Sequence, residues 1–128
     1  MPNGRRRGWI LLAALLGTFA AVRAWLAFTP NADFDIAGYN VHHVFTGVVI
    51  LTACGLPLLL GRTTGRVADV LTAGFGVGLS LALDEVVYLI ATDGSNASYL
   101  LPVSFWGGVV FVGAAALVIL ILIWRSPP

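Results

Sequence analysis

The stretch VHHVFTGVVILTACGLPLLL, residues 41–60, combines an apolar run of bilayer length with the only histidines of the chain, His42 and His43. An α-helix rises about 1.5 Å per residue, so a helix of about 20 residues crosses a hydrocarbon core of about 30 Å. Histidines at the end of such a run either face water or take part in a buried site. The surrounding sequence decides between these two interpretations.

The composition predicts an integral membrane protein. Of 128 residues, 59% are hydrophobic and only 10% are charged, and the mean hydropathy is +0.93. Soluble domains carry about 25% charged residues, so this chain has too little polar surface to cover a soluble globule. No basic stripe interleaved with aromatic residues is present, which argues against a nucleic-acid partner. Cys54 stands alone, so no internal disulfide is expected.

Three further apolar runs have bilayer length, which gives four predicted transmembrane helices at about residues 9–28, 41–60, 67–91 and 102–124. The connections TPNADFDIAGYN, GRTTGR and TDGSNASYLL are short and rich in turn-forming residues. The predicted fold class is all-α, an antiparallel bundle of four transmembrane helices that forms a single domain over residues 1–128.

The arginines predict the orientation of this bundle. The chain has no lysine, and its arginines outside the spans lie before the first helix, in the second connection and after the fourth helix: Arg5, Arg6, Arg7, Arg62, Arg66 and Arg125. The first and third connections contain only acidic charges, Asp33, Asp35 and Asp93. Because positive residues mark the cytoplasmic side, we expect a multi-pass protein of the cell membrane with both termini cytoplasmic.

The first helix has an alternative interpretation. RRRGWILLAALLGTFAAVRA, residues 5–24, has the basic start, apolar middle and small-residue end of a signal peptide. Arg23 would then lie directly before the cleavage site, and the apolar run continues beyond it through WLAF. A transmembrane helix is therefore the favoured interpretation.

The ionisable residues inside the predicted spans lie at one depth. Counted from the cytoplasmic ends of their helices, Arg23, His42, His43, Asp84 and Glu85 are 15 to 18 residues along. This corresponds to roughly 22–27 Å from the inner boundary. Charges in a bilayer are costly and usually face the bundle interior. We therefore predict one shared cluster in the outer half of the membrane, in which a histidine lies within bonding distance of a carboxylate.

Helical periodicity predicts which side of its helix each of these side chains occupies. Ser80, Asp84 and Tyr88 repeat every four residues, which places them on one stripe of the third helix. We expect Ser80 and Tyr88 to be hydrogen-bond partners of Asp84. Glu85 lies about 100° around the helix from Asp84, and His42 and His43 have the same relation.

The charges of the cluster leave three roles open. With neutral histidines, Arg23, Asp84 and Glu85 sum to −1, which a proton or a cation must offset. Imidazole and carboxylate groups suit a divalent metal such as zinc or iron, and the candidate ligands are His42, His43, Asp84 and Glu85. Asp35 and Tyr39 are close in sequence to the candidate ligand His42. The motifs HxxxH, ExxH and CxxC are absent, so a purely structural cluster and a proton or ion path are the alternatives.

If the protein is an enzyme, the candidate catalytic residues are Glu85 and Arg23. A metal-activated water would attack the substrate, with Glu85 as general base and Arg23 stabilising an anionic group. The substrate would be a lipid or a peptide near the outer interface. The alternative function is a transporter, or a subunit of a larger assembly, whose partners are a second copy or another membrane protein in the lipid bilayer.

Two segments carry a resemblance to known proteins. VHHVFTGVVIL and GFGVGLSLALDEVVYLI, residues 41–51 and 74–90, resemble small, uncharacterised prokaryotic four-helix membrane proteins with His-His and Leu-Asp-Glu motifs. The resemblance covers about the middle half of the chain and implies no established activity. The content of histidines and carboxylates is also similar to that of membrane-embedded metal hydrolases of the ceramidase type, which have more helices and a more widely distributed ligand set.

The orientation is testable with topology reporters. We expect a reporter fused after Pro128 to be active in the cytoplasm and a reporter inserted near Asn96 to be active outside, because the loop arginines lie on one side. Alkaline phosphatase and green fluorescent protein fusions measure the two sides independently. The reverse pattern would contradict the arginine argument.

Overall fold

The computed structural model describes residues 3–32 and 35–127, and these residues are almost entirely helical. The helices, in chain order, are α1 (Asn3–Phe28), α2 (His43–Leu60), α3 (Gly65–Asp84), α4 (Val86–Ala91), α5 (Asn96–Tyr99) and α6 (Pro102–Arg125). Four stretches are long and apolar enough to cross a membrane: Gly4–Phe28, His43–Leu60, Gly65–Ala91 and Pro102–Arg125. The predicted all-α class with four membrane-capable helices is therefore confirmed.

A short hairpin lies between α1 and α2. Its strands, β1 (Asp35–Ile36) and β2 (Tyr39–Asn40), pair antiparallel and are joined by a two-residue turn. Both turn residues, Ala37 and Gly38, have positive φ angles, of 53° and 83°. Positive φ at both positions is what a two-residue hairpin needs to match the twist of its strands.

The third predicted span, 67–91, is interrupted in the structure. α3 ends at Asp84 and α4 begins at Val86, with Glu85 between them at φ −97° and ψ −1°. A guanidinium nitrogen of Arg23 donates to the Asp84 carbonyl at 3.4 Å, at the position of the break. A side chain that inserts into the carbonyl ladder is a known cause of helix distortion. The sequence pattern, which is apolar on both sides, gave no sign of it.

The hydrophobic core lies between α1 and α6. Its buried residues are Leu12, Leu15, Val112, Ala116, Ile119 and Ile123. Outside this core, many large apolar side chains are exposed, including Phe28 at 87%, Leu60 at 83% and Ile90 at 81%. Apolar surface of this extent is costly in water, and lipid removes that cost.

α2 packs on α3 through glycines. A Cβ added to Gly47 would lie 2.7 Å from the carbonyl oxygen of Gly78 and 2.7 Å from the backbone nitrogen of Ala82. Near the other end of α2, Gly55 lies against the Phe75 ring. Small residues let helix backbones approach closely in lipid, where no hydrophobic force drives association. This contact brings the first turn of α2 beside the end of α3, and so positions the candidate site.

Candidate functional site

A buried ion pair connects the helices where α1 ends and α6 begins. Arg23 of α1 donates from Nε to Asp84 Oδ1 at 2.7 Å, and its Nη2 lies 2.6 Å from the same oxygen. The side chains are only 9% and 2% exposed. Arg23 also donates to the carbonyls of Tyr99 and Ser104, each at 3.0 Å. One guanidinium therefore joins α1 to α3, α5 and α6.

The second oxygen of Asp84 has its own donors. The Tyr99 hydroxyl donates to Asp84 Oδ2, and His43 Nε2 lies 3.0 Å from the same atom. Burial, together with the adjacent Asp84 carboxylate, raises the pKa of the Tyr99 phenol above its ordinary value. Tyr99 therefore stays protonated and remains a donor. The Tyr99 ring also stacks under the Arg23 guanidinium at 4.0 Å, a cation–π contact that adds to the ion pair.

Glu85 has a different set of partners. Its Oε2 accepts the backbone N–H of Val44 at 2.7 Å, and its Oε1 lies 3.3 Å from His43 Nδ1 and 3.6 Å from His42 Nδ1. The first N–H groups of a helix have no partner within it, and no side-chain cap comes from His42 itself. Glu85 therefore caps α2 from another helix, which matters in a membrane because unpaired backbone groups there are costly.

His43 bridges the two carboxylates, with Nε2 at Asp84 and Nδ1 at Glu85. A neutral imidazole has one donor nitrogen and one acceptor nitrogen, whereas an imidazolium donates from both. Neutral His43 therefore donates to one carboxylate only, and a protonated ring satisfies both. His42 contacts Glu85 and meets the Tyr88 ring edge-on, with 5.7 Å between ring centroids.

A cavity of about 570 Å³ opens beside this cluster. It lies between the end of α1, the residues Pro30, Ala32 and Val41 of the connection that follows, the start of α2, α4 and α5. Glu85, His42 and His43 form its polar wall, and Tyr88 and Tyr99 add aromatic surface. The remaining lining is mainly apolar: Ala21, Val22, Trp25, Leu26, Pro30, Ala32, Val41, Asn96 and Leu100. The Arg23–Asp84 pair lies behind this lining, where its own partners surround it.

The predicted clustering of these side chains is confirmed, and its location in the outer half of a membrane stays a prediction. Arg23, His42, His43, Asp84 and Glu85 come together from three spans, with histidine–carboxylate distances of 3.0 to 3.6 Å. The depth count succeeded because the rise per residue is nearly constant along a helix. Both histidines belong to the site, so the end of α2 is more than a water-facing cap.

The predicted partners of Asp84 were wrong. The Tyr88 hydroxyl donates to the carbonyl of Gly94 at 2.6 Å, and the buried Ser80 hydroxyl has no hydrogen-bond partner among the residues that the structure describes. Side chains on one stripe of a helix lie near each other, but the break after Asp84 and the length of tyrosine carry the Tyr88 hydroxyl toward the next connection.

Two partners of the cluster were missed. Tyr99 lies just before the predicted fourth span, and Ser104 lies near its start. In the sequence, both resemble ordinary residues at the boundary of a span. Their roles arise because the connection after α4 folds back over the cluster through α5. A polar serine inside a predicted apolar span was a usable signal for Ser104, and nothing in the pattern indicated Tyr99.

The geometry gives the metal hypothesis little support. Across residues 3–32 and 35–127, no group of three or more His, Cys, Asp and Glu side chains could hold a metal ion. The Asp84 carboxylate is already in contact with the side chains of Arg23, Tyr99 and His43. The side chains of Asp35 and Tyr39 lie outside what the structure describes. Metal ligation and the catalytic roles of Glu85 and Arg23 therefore stay predictions.

Comparisons with known proteins add no assignment. No protein-family model matches the sequence, and no solved structure matches the chain significantly. The chemistry of the site follows from its own side chains.

The buried ion pair depends on Gly108 of α6. A Cβ at this position would lie 2.6 Å from Asp84 Oδ1 and 3.2 Å from Arg23 Nη2. We expect Gly108→Ala to lower the free energy of unfolding by about 1–3 kcal/mol, because the added methyl forces the pair apart. Thermal unfolding in maltoside micelles measures the change.

Gly113→Ala on the same helix is the matched control, because its Cβ would meet no atom within 4 Å. Alanine favours helix over glycine by about 1 kcal/mol, so the control is expected to be neutral or slightly stabilising. Equal melting temperatures for the two variants would contradict the packing argument.

Proposed function

We propose that this chain is a four-span integral membrane protein with antiparallel helices and both termini in the cytoplasm. The α2–α3 contacts support the antiparallel arrangement, because Gly47 meets Gly78 whereas Gly55, farther along α2, meets the earlier Phe75. The arginine distribution supports the orientation. In this arrangement the cavity and the polar cluster lie in the outer half of the membrane.

We further propose that the protein binds a small amphiphilic ligand in the outer-half cavity, as a carrier or receptor does. The observation that carries this proposal is the position of Glu85: its carboxylate is 3% exposed, lies on the wall of a 570 Å³ cavity and has no arginine partner among the described residues. Ligand sites are typically clefts of about 300–1,000 Å³ with mostly apolar walls and a few convergent polar groups. This cavity has that size and that character.

The two carboxylates have separate roles in this proposal. Asp84 neutralises Arg23 and holds the helices together, and neither side chain is needed by the ligand. Glu85, His42 and His43 face the cavity and supply one carboxylate and two imidazoles for the polar end of the ligand. The apolar residues of α1 hold the rest of it.

Metal-assisted hydrolysis is the second candidate, and one observation favours it. The Nδ1 atoms of His42 and His43 both point at Glu85 Oε1, from 3.6 and 3.3 Å. Zinc binds nitrogen and carboxylate oxygen at about 2.0–2.2 Å, so the three side chains would have to shift to share one ion. The ligand-binding proposal needs no such movement.

A hydrophobic carbodiimide tests which carboxylate the cavity exposes. These reagents react with a carboxylic acid that they can reach from the apolar phase, and the adduct is located by peptide mass spectrometry. We expect adducts on Glu85, which lines the cavity, and none on Asp84, which is covered by Arg23, Tyr99 and His43.

Glu85→Gln is the control variant and should lose the adduct. Protein unfolded before labelling should react at both positions, which shows that Asp84 is chemically competent. Labelling of folded protein at Asp84 instead of Glu85 would overturn the assignment of roles.

Chelation separates ligand binding from the metal candidate. Because the carboxylates already have partners within the protein, we expect a strong chelator to leave the melting temperature of the purified protein unchanged. A ligand that binds only the native state stabilises it, so removal of a bound metal would lower the melting temperature. Stoichiometric zinc or iron by elemental analysis, together with such a fall, would establish the metal candidate.

A further inference from the structure

The charge of the cavity wall selects among ligands. The Arg23–Asp84 pair is neutral as a unit, which leaves Glu85 with the two histidines. This group carries −1 with both imidazoles neutral and 0 with one imidazolium, and it is positive only if both are protonated. Among the described residues that line the cavity, none is a lysine or an arginine. An anionic ligand would therefore find no fixed positive partner.

Aromatic rings line the same cavity as the Glu85 carboxylate. Trp25, Tyr88 and Tyr99 all line the cavity, and Tyr88 meets Tyr99 edge-on with 5.4 Å between centroids. The faces of such rings attract cations, most of all where water is excluded. The Tyr99 ring already holds a cation on one face, the Arg23 guanidinium at 4.0 Å. A carboxylate among aromatic rings is a typical environment for an organic cation.

The connection that contributes Asn96 and Leu100 to the cavity wall also carries a negative charge. Asp93 follows α4, and the loop after it carries Asn96 to the cavity wall. Hydrogen bonds from Ser98 and Ser95 lower the pKa of the exposed Asp93 carboxyl to about 2, so it is ionised at neutral pH. The connections 29–40 and 92–101 contain no lysine or arginine. Negative charges near a cavity raise the local concentration of cationic ligands.

We propose that the ligand of this cavity is an organic ammonium ion. Its cationic nitrogen lies at Glu85, between the rings of Tyr88 and Trp25, and its apolar part lies along Val22 and Leu26 of α1. This inference rests on the proposed function and names the ligand class for the same site. Both a free amphiphilic amine and the ammonium headgroup of a lipid have this chemistry.

Calorimetric titration of the full chain in maltoside micelles, which contain no ammonium, tests the ligand class. The probe is benzyltrimethylammonium, and benzyl alcohol and benzenesulfonate are its neutral and anionic counterparts. We expect the ammonium compound to bind at least about tenfold more tightly than either counterpart, because only it gains both the carboxylate and the ring faces. Equal binding of the three compounds, or tighter binding of the sulfonate, would overturn the proposal.

The variants locate the site. Glu85→Gln, which keeps the shape and removes the charge, should weaken binding of the probe by about tenfold. Because Glu85 also caps α2, Trp25→Ala is a second variant in the lining contributed by α1, with a smaller expected loss of about threefold to tenfold. Trp106→Ala is its matched control: both tryptophans are 62% exposed, and Trp106 is not among the lining residues. Equal losses for both tryptophan variants would contradict the placement.

Competition distinguishes the two sources of ammonium. Displacement of the probe by short-chain phosphatidylcholine but not by short-chain phosphatidylglycerol would assign a lipid headgroup, and displacement by neither would assign a free amine. A cavity that fails to select ammonium while the carbodiimide still labels Glu85 overturns the ligand class and leaves the proposed function standing. If Glu85 is not labelled and no probe binds, both the ligand class and the proposed function are refuted.

Discussion

The fold depends on the neutralisation of one buried guanidinium. An arginine inside a membrane span costs about 2.5–3.5 kcal/mol on insertion scales, and much more if it has no partner. Arg23 meets this cost through Asp84, two backbone carbonyls and the Tyr99 ring. Because these partners come from α3, α5 and α6, the contacts of the Arg23 side chain hold α1 against these three helices. The same contacts require a glycine at position 108, where any larger residue would occupy the space of the pair.

Adjacent residues divide the site into an inner and an outer layer. The Asp84 carboxylate contacts Arg23 and Tyr99 at the helix junction, whereas the Glu85 carboxylate contacts the Val44 amide and Glu85 lines the cavity. His43 lies between them and contacts both. Removal of one partner from a buried pair costs about 3–5 kcal/mol, so the inner layer tolerates little change. Glu85 has no arginine partner among the described residues and lines the cavity, which is why the proposed binding is placed there.

Backbone chemistry explains why Glu85 lies where it does. The break between α3 and α4 frees the Glu85 side chain from the regular helix surface, and its carboxylate reaches the first turn of α2. The Val44 amide at the start of α2 would otherwise lose this partner, which is costly where water is scarce. Glu85 thus serves the helix end and the cavity at once.

The sequence by itself determined the helical class, the membrane-capable spans and the common depth of Arg23, the histidines and the carboxylates. These properties depend on hydrophobic run length and on a constant rise per residue, which are local. Only the tertiary structure decided which partners those residues take. Tyr99 reaches Asp84 because the connection folds back, and the Val44 amide donates to Glu85 from another helix. The Ser80 hydroxyl has no hydrogen-bond partner among the described residues. Packing between distant segments sets the rotation of each helix about its axis and the path of each connection. The periodicity along one helix therefore cannot predict either of them.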